Sequence, residues 1–204
     1  MKRLTRRVRR ARSAARLPHP RLKEAVLADL RFEYGARTGG RRIRTRAGLV
    51  RAFWRMVWES DAFGALVCYR IKASAQRAGI PVVPRIAHRI AMSWAQVSIG
   101  DPVLVRPGVR LPHGQVVIDG FVEIESGVAI RPFVTIGLKE GDLRGPTIRA
   151  NARIGTGAKI IGPVTIGRAA TVGANAVVLH DVAPGAVVAG APARPVAGTD
   201  RATT

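Results

Sequence analysis

IRANARIGTGAKIIGPVTIGRAATVGANAVV, residues 148–178, places Ile148, Ile154, Ile160, Ile166, Val172 and Val178 six positions apart. A helix repeats every 3.6 residues and a strand every two, so neither yields a period of six. Three short strands and three turns per coil do, and that is a parallel β-helix. The same beat extends upstream through Ile99, Val105, Leu111, Ile118, Ile124, Ile130 and Ile136. Four residues after most beats stands a small or β-branched side chain, from Val103, Val109, Val122, Val128 and Val134 to Ala152, Ala158, Val164, Ala170, Ala176 and Val182. The large residue should point inward and the small one should fit the neighbouring turn. About five coils at roughly 4.8 Å spacing make a prism about 24 Å long.

The beat slips twice. Leu111 to Ile118 is seven residues, with Pro112-His113-Gly114-Gln115 between them. The beat due at 142 falls on Asp142, inside Gly137 to Thr147, where three Gly, one Pro and four charges predict a loop thrown out from one corner. Both interruptions carry polar or reactive side chains that the regular coils lack.

The front of the chain differs. Net charge is +21, from 34 Lys and Arg against 13 Asp and Glu. Residues 1–57 hold 18 basic and 3 acidic residues, whereas residues 98–204 hold 11 and 8, so the basicity belongs to the front. Such like-charge density favours disorder over residues 1–20. Helices are predicted over 22–34, 47–58, 62–78 and 84–95, the last with Ile86, Ile90 and Trp94 on one face, and a Gly/Arg linker over 35–46. The chain divides into a basic segment (1–46), a helical lead-in (47–97), the β-helix (98–197) and a disordered tail (198–204). The basic front lacks interleaved aromatics over its first 31 residues, and no helix-turn-helix or zinc pattern follows. That disfavours a specific nucleic-acid reader and leaves a solvated tail or weak association with an anionic membrane. A single Cys68 suits a reducing compartment. No apolar run spans a bilayer and no apolar stretch follows the basic start, so a cytoplasmic protein is expected.

The last third resembles a known family. Ile154-Gly155-Thr156-Gly157-Ala158, Val172-Gly173-Ala174-Asn175-Ala176-Val177-Val178, Asp181-Val182-Ala183-Pro184-Gly185 and Val188-Ala189-Gly190-Ala191-Pro192-Ala193-Arg194-Pro195-Val196 resemble the C-terminal signature of hexapeptide-repeat acyltransferases, within them the serine acetyltransferase group. Leu111-Pro112-His113-Gly114 with Val116-Val117-Ile118 looks like the segment bearing that group's catalytic histidine, and Val134-Thr135-Ile136-Gly137 also matches. Over about residues 60–197 the resemblance implies a left-handed parallel β-helix behind an α-helical N-terminal segment. It also implies a trimer or dimer of trimers, with active sites between neighbouring prisms. Val103, Val122, Phe121 and Phe133 are candidates for the packing faces.

The implied reaction is acetyl transfer from acetyl-CoA to a hydroxyl. That chemistry needs a base, oxyanion donors and a groove for the pantetheine arm. Histidine suits the base because its ordinary pKa lies near working pH. Of His19, His88, His113 and His180, the candidate is His113, at the register slip and at the family's position. His19 reads as part of the tail and His88 as part of a basic helix. The backbone N–H of Gly137 is a candidate oxyanion donor. Gly155 and Thr156, and one 18-residue coil later Gly173 and Ala174, match the cofactor groove. The same small residues equally satisfy the turns that every coil needs. Arg194, and more weakly Lys139, could meet a cofactor phosphate. Arg144 matches the family's carboxylate-binding arginine.

Three family marks are replaced: the aspartate before the histidine by Pro112, a loop histidine by Gly145, and the imidazole-orienting aspartate by Ser98. Ser98, Asp101 or a backbone carbonyl is left to orient His113. Serine and a sugar hydroxyl, as in surface-polysaccharide O-acetyltransferases, both stay open as acceptors. A non-catalytic trimeric scaffold with a basic arm is the reading from another class. A zinc hydratase on this fold needs three histidines, and the repeat has only His113 and His180, so no metal is expected.

Overall fold

Four helices precede fourteen short strands in the computed structural model, which describes residues 19–142 and 144–196. The helices are α1 (Leu22–Arg37), α2 (Arg46–Glu59), α3 (Asp61–Arg77) and α4 (Val83–Ala95). The first runs three residues past its predicted end, and the other boundaries fall within one residue of those predicted. Thr45 and Ser60 cap α2 and α3 by accepting the N–H groups of Gly48 and Phe63. Residues 1–18 and 197–204, on which the expected basic tail and C-terminal tail fall, lie outside the described residues.

The strands form the three faces of a left-handed parallel β-helix. The first face stacks β1 (Val97–Ile99), β3 (Val116–Ile118), β6 (Thr135–Gly137), β9 (Lys159–Ile161) and β12 (Val177–Val178). The second stacks β2 (Leu104–Val105), β4 (Phe121–Ile124), β7 (Arg144–Ile148) and β10 (Thr165–Ile166). The third stacks β5 (Ala129–Ile130), β8 (Arg153–Ile154), β11 (Thr171–Val172), β13 (Val187–Ala189) and the antiparallel β14 (Arg194–Pro195).

Register shows where coils change length. On the first face Val97 pairs with Val116, Val117 with Thr135, Thr135 with Lys159 and Lys159 with Val177, separations of 19, 18, 24 and 18. The 19 contains the His113 slip and the 24 contains the loop. Every beat and every small partner residue is buried, with Ile124, Ile130, Ile136, Ile148, Ile160 and Ile166 wholly excluded from solvent. Full burial of each such side chain stabilises by about 2 kcal/mol.

The structure departs from the sequence reading at three places. A third slip exists: Val182 pairs with Ile166, only 16 residues away, so it takes a beat position rather than a small-residue position. The Asp181 carboxylate makes the short turn possible by accepting the Thr165 N–H at 2.7 Å. The loop is shorter than expected, because Arg144 to Ile148 is strand β7, paired with β4. Phe121 pairs with Arg144 and Glu123 with Thr147, so β7 holds one extra residue there, and the missing N–H of Pro146 falls in that irregularity. Val103 and Val122 point into the core and cannot form an outer packing face; Phe121 is half-buried and Phe133 exposed. On α4 the buried stripe is Ala87, Ala91 and Ala95, while Ile86, Ile90 and Trp94 are exposed. Alanines let α4 lie close to its neighbours.

An open β-helix leaves unpaired backbone groups at its first coil, and an uncovered edge invites aggregation. Here α3 and α1 cover it. Tyr69 donates to the Val103 carbonyl at 2.8 Å and accepts the Val105 N–H at 3.2 Å. Arg70 donates to the carbonyls of Val105 and Arg106, and Lys72 to that of Ile99. Asp29 of α1 accepts the N–H groups of Gly108 and Val109 at 2.8 and 3.1 Å. Glu33 binds Arg110 at 2.7 Å and also Arg37. Side chains of α1 and α3 thus supply the hydrogen bonds that a preceding coil would have made.

Candidate active site

His113 stands where the third face turns into the first. Its turn is pinned on two sides: the Gln115 N–H donates to the Ala95 carbonyl at the end of α4 (2.8 Å), and the Phe133 N–H of the next coil donates to the Gln115 carbonyl (2.7 Å). A Cβ on Gly114 would lie 1.9 Å from the Ala95 oxygen, so only glycine lets this turn sit against the helix end. Pro112 is buried and its carbonyl accepts from Arg37 Nη2 at 3.5 Å. The backbone is fixed while the imidazole of His113 is exposed to solvent, as a base that meets an incoming hydroxyl must be.

The same corner recurs on each later coil. It holds Phe133, then Gly155 to Ala158, then Gly173 to Ala176, linked by the Gly157 N–H to the Pro132 carbonyl (2.9 Å) and the Asn175 N–H to the Thr156 carbonyl (2.8 Å). The four proposed groove residues therefore line up with His113 along one edge of the prism. A Cβ on Gly155 would fall 2.7 Å from the Ala174 nitrogen and the Gly173 carbonyl carbon. Gly155 is thus required by coil stacking, whatever else it does. Ala174 is exposed and Thr156 half-exposed, so these two present the accessible surface. Arg194 is exposed on β14, paired with Ala189 at the C-terminal end of the third face.

Gly137 and Arg144 lie elsewhere. Gly137 ends β6 and Arg144 begins β7, so both flank the corner between the first and second faces. That corner and His113's bound opposite edges of the first face. The slip and the loop therefore do not meet within one chain. A Cβ on Gly137 would touch nothing, leaving its main chain open to approach, and its carbonyl accepts the Gly162 N–H at 2.9 Å. The Arg144 guanidinium is exposed and held by Asp142, with Nη2 2.9 Å from Oδ2; that bond raises its pKa further. The glycine that replaces the family's loop histidine is packed flat: a Cβ on Gly145 would sit 2.6 Å from Val122 Cγ2. Lys139 packs at the same corner, where its Cβ would lie 3.4 Å from one on Gly162.

Of the other histidines, His180 is exposed in the third slip, on the Arg144 side. His88 is partly buried on α4, and burial lowers its pKa. His19 is no part of a solvated tail: its ring packs edge-on to Tyr69, and its carbonyl accepts from Arg77 at 3.1 Å. Burial, then Arg70, Arg77, Lys72 and Arg106, hold its imidazole below the ordinary 6.5. Ser98 pairs with Val117 in the first face, and Asp101 binds Lys72 at 2.9 Å.

The sequence marks Phe133 only as a candidate for a packing face. It sits one coil from His113, 54% exposed, with φ at 62°. Its equivalents on the next coils, Gly157 and Asn175, tolerate that backbone, but a bulky aromatic does not without strain. A phenylalanine where the turn wants Gly or Asn is a signal the sequence did carry.

The family description "Bacterial transferase hexapeptide (six repeats)" matches residues 145–180. The serine acetyltransferase of Escherichia coli K12 is 33% identical over 182 residues, covering 88% of this chain and 67% of that one. Among solved structures, Brucella abortus S19 serine acetyltransferase in complex with coenzyme A superposes with a TM-score of 0.74 at 25% identity, covering 87% of this chain and 68% of that one. Neisseria gonorrhoeae serine acetyltransferase in complex with serine gives 0.73 at 26%, covering 85% and 68%.

Proposed function

The chain belongs to the serine acetyltransferase family of acetyl-CoA-dependent acyltransferases, and from that membership we propose that it acetylates the hydroxyl of L-serine, with His113 as general base. The observation that carries this reading is the single edge that holds His113 and, on later coils, the accessible Thr156 and Ala174. A pantetheine arm laid along that edge brings its thioester to the imidazole. His113 removes the hydroxyl proton as the serine oxygen attacks the thioester carbonyl. The C–S bond then breaks, and His113 returns the proton to the departing thiolate, so the base is regenerated. The Gly137 N–H is the proposed donor to the oxyanion, and Arg194 the proposed partner of a cofactor phosphate.

Arg144 is proposed to bind the serine carboxylate. It already holds a carboxylate, that of Asp142, and a substrate would exchange for it. Because Arg144 and His113 occupy different corners, the site is completed by a second copy of the chain, in a homotrimer whose corners meet. Acetyl-CoA as donor and the use of a single cysteine, Cys68, favour a cytoplasmic location.

A sugar hydroxyl is the second reading, favoured by the buried Pro112 and the packed Gly145, which supply none of the polar groups a serine amine would use. Purified protein with acetyl-CoA and L-serine should yield O-acetylserine by mass spectrometry, and His113→Ala should slow it by about 10²–10⁴ without unfolding. No product with serine, but turnover on a nucleotide sugar or glycan, would replace the first reading by the second.

A further inference from the structure

We infer that the exposed face of α2 docks on an anionic membrane surface. The helix buries Ala52 and Met56 against Leu30 and Phe63. Its opposite side presents Val50, Trp54 and Trp58, exposed by 60, 65 and 89%. With Ala47 they follow one another at intervals of three, four and four residues, one continuous stripe along the helix. Exposed Arg46, Arg51 and Arg55 flank the stripe, and Glu59, the one carboxylate within the helix, is bound to Arg55; the exposed Asp61 follows at the start of α3. Indole rings on one side of a helix and arginines around them suit the boundary between headgroups and acyl chains.

Charge identifies the occupant. Of the three acidic residues among residues 1–57, Asp29 and Glu33 are buried in ion pairs and Glu24 lies 3.9 Å from Arg21, so the exposed charge over the described residues 19–57 is mainly positive. A second copy on this face would set arginines against the same arginines. A nucleic acid would use the arginines but gain little from the aliphatic part of the stripe. An anionic bilayer satisfies both. The connection into α2 adds a second feature: between it and α1 lies a cleft of about 590 Å³ with Phe32 and Ile43 in its wall and Arg31, Arg41 and Arg42 around it. Among the described residues no carboxylate pairs with these three arginines, which leaves them for headgroup phosphates.

The test is co-sedimentation of the full chain with phosphatidylcholine vesicles, with and without roughly a quarter phosphatidylglycerol, alongside the double variant Trp54→Ser/Trp58→Ser. The wild type should sediment with the anionic vesicles and far less with the neutral ones. The double variant should partition roughly tenfold or more weakly, with unchanged melting and acetyl transfer. No sedimentation with anionic vesicles overturns the inference. So does binding that the double variant retains in full, since it would then belong to the arginines before α1. A smaller oligomer for the double variant by light scattering, with no vesicle binding by the wild type, would assign the face to a second copy. Capture of DNA or RNA that anionic vesicles do not displace would assign it to nucleic acid.

Discussion

Arg70 Nε of α3 lies 2.8 Å from Asp29 Oδ2 of α1, and both side chains are almost wholly excluded from solvent. The pair joins two helices and, through its remaining bonds, both helices to the first coil. Burial raises the Asp29 pKa, and Arg70 and the two backbone N–H donors oppose that rise.

Arg70→Met should therefore leave a buried carboxylate with no counter-ion and cost about 3–5 kcal/mol. Replacing both partners, as Asp29→Leu with Arg70→Met, should not restore stability. The N–H groups of Gly108 and Val109 and the carbonyls of Val105 and Arg106 would lose their partners. Urea denaturation of both variants checks this, and a double variant as stable as wild type would refute the capping role.

Placement of His113 and Arg144 on different corners makes a prediction about mixed oligomers. His113→Ala and Arg144→Ala should each be strongly impaired alone. Refolded together they should regain activity, because roughly a quarter of sites in a randomly mixed ring receive both intact residues. Mixed samples as impaired as their parents would mean that the site lies within one chain.

Ala174 and Gly155 should separate binding from folding. Ala174→Trp adds bulk at an exposed position, and it should raise KM for acetyl-CoA about tenfold or more with unchanged Tm. Gly155→Ala forces a Cβ into the backbone of the next coil, and it should lower stability by about 1–3 kcal/mol. Steady-state kinetics and thermal melting on both proteins read the two effects. An unchanged KM in Ala174→Trp would move the cofactor off this edge.

His19 should make stability depend on pH. Its pKa is lower folded than unfolded, so the folded chain binds fewer protons as pH falls. The contribution is complete above the ordinary value of 6.5 and is lost as pH drops below it toward the folded value. Tm should fall between about pH 7.5 and pH 5, and His19→Gln should flatten that fall. Parallel curves for the two proteins would exclude His19 as the source.

Most of the fold was legible in the chain because a six-residue beat admits few architectures. The end of α3 was legible from Gly79 and Pro81 behind it, whereas Thr45 and Ser60 emerge as caps only in the structure. Residue type alone is a poor guide where the chain is irregular. Pro146 argued against a strand, yet an irregular register accommodates it. Val182 kept the small-residue spacing, yet a shortened turn moved it to a beat.

The candidate site divides in the same way. The sequence by itself determined the β-helix, the slip that sets His113 apart, and the stacked small residues 18 positions apart, because each follows from counting along the chain. Only the tertiary structure decided which corner each interruption occupies. His113 shares an edge with Thr156 and Ala174, and Arg144 stands across the first face from all of them. Corner assignment depends on how residues are shared among three faces and their turns, and one inserted or missing residue moves everything after it. Asp29, Arg70 and Lys72 were likewise visible only as charges until folding brought them to the open coil, where unpaired backbone groups give buried charges a use.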